Sequence, residues 1–140
     1  MKTSLAVITL LAILSATAHA RVGETVKQVE ARYGKPERVL QEQGSFRKLG
    51  YVYRGWLVIV GYVAGVSKSE FFDGNRRLSD AEVRQLLALN LAPGTTWNRL
   101  PDKGGDQLWI RSDRKVVALV MEQKFLRVQE KDYHEPKSKT

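Results

Sequence analysis

The chain has no cysteine, only 2 histidines and 4 prolines, no run of five like charges and no apolar stretch of membrane-spanning length. Each of these absences excludes something. Without cysteine there are no disulfide staples, thiolate metal sites, cysteine nucleophiles or lipid-modified N-terminal cysteine, so packing alone must hold the fold. Of the two histidines, His19 lies in the leader described next and His134 in a charged tail, so neither a histidine triad nor a zinc cluster can be assembled. We therefore expect no catalysis, no cofactor and no bound metal. The longest apolar stretch, Leu5 to Ala16, falls short of the roughly 20 residues that a helix needs to cross a membrane.

That stretch follows Met1-Lys2 and precedes Ala18-His19-Ala20, a small-x-small site. Together they read as a secretory signal over residues 1–20, cleaved after Ala20. The mature chain would be periplasmic or secreted, and not membrane-spanning. Its length suits one domain, expected over 21–130 and followed by a flexible, charged tail over 131–140. The full sequence carries 23 Lys and Arg against 15 Asp and Glu, a net +8 of which Lys2 leaves with the leader. Such a balance favours anionic surfaces, whether phospholipid or lipopolysaccharide head groups or acidic protein faces. Export removes nucleic acid from the expected partners.

After the leader, Val26, Val29 and Tyr33 fall on one helical face; Thr25 with Gln28 has capping-box spacing, and Gly34 and Pro36 stop the helix. The runs Phe46 to Arg54, Trp56 to Val63 and Val66 to Phe72 read as strands joined by tight turns. Ser79-Asp80-Ala81-Glu82 is a second capping box, and Val83, Leu86 and Leu87 continue a second helix to Pro93-Gly94. Strands are expected again at Thr95 to Leu100, Gln107 to Arg111, Val116 to Met121 and Lys124 to Val128, with a polar loop from Pro101 to Asp106. The expected fold is thus α+β: short helices on one face of a twisted antiparallel sheet, with a helix-strand-strand-strand pattern in tandem over 23–72 and 79–128.

The pattern Gly23-x-Thr25-x-x-Gln28-Val29, then Gly34-x-Pro36, an aromatic strand at Tyr51 to Tyr53 and an apolar hairpin through Val66, resembles the SmpA/OmlA family of small BamE-like envelope proteins. The resemblance spans residues 23–72. It implies helices on a three-stranded antiparallel sheet and binding of proteins and anionic lipid, and it transfers no catalytic residue. Two tandem units are the build of secreted β-lactamase-inhibitor-like proteins, which grip an enzyme with a concave sheet face. The missing lipobox cysteine sets the chain apart from the assembly lipoproteins.

For the binding site, strand alternation puts Leu108 and Ile110 on one face and Trp109 and Arg111 on the other. If the helices cover the Leu108 face, Trp109 and Arg111 stand on an open face, a composition enriched at binding hot spots. Tyr51, Tyr53, Trp56 and Trp97 are expected to join them. The function that follows is a non-catalytic binding or envelope-assembly module whose aromatic and basic sheet face recognises an envelope or extracellular protein. Two alternatives stay open. One is a secreted inhibitor of an envelope or host enzyme, using the Pro101 to Asp106 loop. The other is a small hydrolase using the carboxylate pairs Glu70 with Asp73 or Asp102 with Asp106.

Overall fold

The computed structural model describes residues 22–138. The leader expected over residues 1–20 lies outside the described residues. Two helices and eight strands follow one another: α1 (Val26–Tyr33), β1 (Arg38–Gln43), β2 (Phe46–Tyr53), β3 (Trp56–Val63), β4 (Val66–Asp73), α2 (Asp80–Ala88), β5 (Trp97–Lys103), β6 (Asp106–Arg111), β7 (Val116–Met121) and β8 (Phe125–Glu130). Both helices start as their sequences dictate. Thr25 and Ser79 each accept from the backbone N–H three residues on, while the side chains of Gln28 and Glu82 reach back to the cap backbone.

All strands join one antiparallel sheet in the order β1-β2-β3-β4-β8-β7-β6-β5. The fold is α+β, but the sheet is far larger than the paired three-stranded units expected. Each helix is followed by a four-stranded meander, and the two meanders meet through their last strands, with Phe71 opposite Arg127 and Phe72 opposite Leu126. The additional strand in the first half is β1, a polar and largely exposed edge that carries no alternation signal. Tight turns fix the register. At Arg54-Gly55 and at Ala64-Gly65 both central residues take positive φ, the geometry that matches strand twist.

Both helices lie on the same face. On that side Val29 and Tyr33 of α1, Leu49 and Tyr51 of β2, Val58, Val60 and Tyr62 of β3 and Phe72 of β4 form one core with Val83, Leu86 and Leu87 of α2 and Ala118, Val120, Leu126 and Val128 of β7 and β8. At roughly 25 cal/mol per Å² of buried apolar area this core is the main stabilising term. A polar centre ties the halves together inside it. Glu70, fully buried, accepts from the Tyr33 hydroxyl and the Asn90 amide, each at 3.4 Å, and Asn90 Oδ1 accepts from the Val22 N–H.

Residues 131–138, expected as part of a flexible tail, fold back onto the other face of the sheet. Tyr133 N–H donates to Glu130 O, Gln129 Nε2 donates to Tyr133 O, and the Glu135 carboxylate forms an ion pair with Lys48. No helix among the described residues is long and apolar enough to cross a membrane.

Candidate functional site: the two faces of the sheet

The register decides which side chains share a face. Trp109 pairs with Ala118, and Ala118 with Val128, both core residues under the helices. Trp109 and Arg111 therefore point toward α2, and it is Leu108 and Ile110 that face away. The expected parity is reversed. The physical reason is that Trp109 and Trp97 offer more surface to bury than Leu108 and Ile110, and α2 lies over them.

The six residues singled out from sequence all lie on this helix-covered face, in two groups. Tyr51 is fully buried and shares a 2.8 Å hydrogen bond with the Tyr62 hydroxyl; burial pushes both phenols above their ordinary range. Tyr53 meets Tyr33 edge-on at 5.0 Å, and Trp56 packs at the core margin beneath Arg76. In the second group Trp97 donates from Nε1 to the Leu87 carbonyl at 2.7 Å, satisfying a helix-end acceptor. Trp97 and Trp109 line one groove of about 250 Å³ with Arg84, Leu87, Ala88 and Leu91. Arg111 is only 5% exposed. It grips Asp113 with Nε and Nη2 and donates from Nη1 to the Asn90 carbonyl at 3.0 Å. That fork holds the Asp113 carboxyl below the usual carboxylate range.

Neither carboxylate pair converges. Glu70 lies opposite Val60 on the core face, whereas Asp73, three residues on, lies on the other. Asp102 pairs with Arg99, and Asp106 accepts from the Glu122 N–H. The segment Pro101 to Asp106 is strand on both sides of a Gly104-Gly105 turn rather than a loop. Among the described residues no three His, Asp or Glu side chains gather as metal ligands.

The face turned away from the helices is apolar as well. Its rows are Val52 on β2, Leu57 and Ile59 on β3, Phe71 on β4, Phe125 on β8, Leu119 and Met121 on β7, and Leu108 and Ile110 on β6. Val52 is about half exposed, and the other side chains are more nearly covered without being buried. Phe71 and Phe125 stack across β4 and β8 with centroids 5.4 Å apart, and cations flank them, Arg127 over Phe71 and Lys124 over Phe125. An aromatic and basic sheet face thus exists, built from residues that sequence reasoning did not pick. The doublet Phe71-Phe72 was the available signal, because adjacent strand residues must point to opposite faces.

No family model matches the chain, and no curated protein does. Among solved structures it is similar to a cysteine-rich secretory protein from Staphylococcus aureus subsp. aureus Mu50, at 14% identity and a TM-score of 0.49, over 80% of this chain and 45% of that one. It is also similar to an extracellular protein containing an SCP domain from Bacillus anthracis str. Ames, at 11% identity and a TM-score of 0.48, over 94% of this chain and 50% of that one. The chain spans about half the length of these structures. The SmpA/OmlA resemblance is not upheld: no family model matches the chain, and in place of the three-stranded sheet it implied the strands form one sheet of eight. The residues that carried it, Thr25, Gln28, Gly34 and Pro36, are helix punctuation that any capped helix before a hairpin can share.

Proposed function

We propose that the protein is an exported, non-catalytic binding module that recognises another protein through the helix-free face of its sheet. The single observation carrying this reading is the continuous partly exposed apolar row across that face, centred on the Phe71 and Phe125 stack. Contiguous apolar surface of this kind marks interaction sites in soluble proteins. Export rests on the Met1 to Ala20 leader, and the positive charge would steer the chain toward acidic partners.

The test is capture from envelope and culture-medium extracts with tagged mature protein, at low and high salt, beside two variants. Leu119→Glu alters the helix-free face, and Trp109→Phe alters the covered one. A protein retained at high salt by wild type and Trp109→Phe, but lost with Leu119→Glu at unchanged melting temperature, supports the reading. Equal capture by Leu119→Glu refutes it. Capture only of lipid or lipopolysaccharide that washes off with salt reduces the interaction to surface charge.

A further inference from the structure

The helix-free face is not uniform. Near β2, β3 and β4 it holds a notch of about 190 Å³ lined by Lys48, Ile59, Gly61, Ser69, Phe71 and Arg127, with Glu135 of the tail at its rim. Gly61 makes the notch: a Cβ there would fall 2.7 Å from Ser69 Oγ and 3.4 Å from the Tyr133 hydroxyl. Two cations face it. Lys48 forms an ion pair with Glu135, and Arg127 Nη2 lies 4.0 Å from the same carboxylate. The Tyr133 hydroxyl reaches to Gly61 at the edge of the notch, and burial raises the phenol to about 12.

The site therefore has a chemistry, read from what fills it. A tyrosine brings its hydroxyl beside Gly61, and a carboxylate two residues later meets Lys48 and Arg127. The tail does so without joining the sheet, since β4 and β8 already occupy each other's edges there. It also leaves the space between Ile59 and Phe71 unfilled. Beyond the two hydrogen bonds that tie Tyr133 to Glu130 and Gln129, the segment is held across the sheet by the tyrosine and one partly exposed carboxylate, and ion pairs at such exposure contribute little.

We infer that this notch is a docking site for a partner segment carrying an aromatic residue two positions before a carboxylate, and that Tyr133-His134-Glu135 occupies it in cis as a displaceable plug. The inference rests on the helix-free face being the binding face, and adds where on it the partner docks and what it presents. A partner whose aromatic is followed by a larger apolar side chain fills the Ile59 to Phe71 space and outcompetes the tail.

The experiment uses the full chain carrying Tyr133→Ala and Glu135→Ala together, which opens the notch without shortening the protein. The probe is a synthetic peptide of the tail, residues 131–140, titrated in trans and followed by backbone amide NMR. The opened variant should show saturable shifts at Lys48, Ile59, Gly61 and Phe71, at least tenfold weaker in wild type, and lost when the peptide carries Glu135→Lys. Absence of those shifts at millimolar peptide, or equal binding to wild type, overturns the plug. Lys48→Glu added to the opened variant should abolish binding; retention there overturns the cation role. The two proposals fail separately. Peptide binding with no partner affected by Leu119→Glu leaves the tail's seat in the notch standing and removes the partner that was to displace it, and the opposite pair of results removes the plug alone.

Discussion

Replacing Arg111 by alanine separates a structural role from a recognition role more sharply than any other single substitution. Three losses follow from its surroundings. The Asn90 carbonyl, in a fully buried residue, loses its guanidinium donor, at a cost of about 1 to 3 kcal/mol. Asp113 loses a two-pronged partner; because its side chain is 24% exposed, this is worth less than the several kcal/mol of a fully buried pair. The buried stem of the arginine leaves a gap. Together these come to about 4 kcal/mol, and a domain of this size loses roughly 4 °C per kcal/mol, so melting should fall by about 15 °C. Arg111→Lys keeps the charge but not the fork and should lose about half of that. The pH dependence has a definite sign. Arg111 depresses the folded pKa of Asp113, so this contribution is complete above the unfolded value and disappears as pH falls through the folded one. The gap between wild type and Arg111→Ala should therefore be full at pH 7 and narrow below about pH 4. Thermal melts by circular dichroism across that range decide the matter. A variant melting within about 4 °C of wild type at pH 7 would refute the structural assignment.

Three other substitutions probe neighbouring claims. Gly61→Ala should destabilise by about 1 to 2 kcal/mol through overpacking against Ser69, and denaturant unfolding should show most of that relieved in a Ser69→Ala background. Trp97→Phe removes the Nε1 bond to the Leu87 carbonyl and should cost about 1 kcal/mol, with hydrogen exchange rising first at the end of α2. The Glu82 carboxyl, held down by Arg76 and the Ser79 backbone, should titrate at about 2 by carbon-detected NMR, and move toward the ordinary glutamate value in Arg76→Ala. A Glu82 titration unmoved by that change would mean that the cap, not the arginine, sets the shift.

Much of the local structure was legible because it is written in short-range chemistry. Both capping boxes and the tight turns at Gly55 and Gly65 needed only neighbouring residues, and seven of the eight strands lay near their expected places. β1 was not legible, since Arg38-Val-Leu-Gln-Glu-Gln lies at a sheet edge, none of its side chains is buried, and its two apolar residues are adjacent rather than alternating. β5 ran on through Pro101, which an edge strand tolerates because its outer backbone donors have no partner to satisfy. The candidate site misread one binary choice. Alternation states that Trp109 and Leu108 part company, but which of them meets the helices is set by how α2 lies across the sheet, a long-range fact. The tail was read as frayed because its composition is polar, and the notch that receives Tyr133 exists only once β2, β3 and β4 are side by side.

The meeting of the two meanders also sets an order of assembly. Every ladder except one joins strands adjacent in the chain, so six of the seven can form by closing short loops within microseconds. The exception pairs Ser69 through Asp73 with Gln129 back to Phe125, and it cannot form until the whole second meander has been delivered to the edge of the first. Until then β4 and β8 are both free edges, each able to pair with its counterpart on another molecule. The join that makes one sheet of eight is therefore the slow step of folding and the point where two chains could exchange halves.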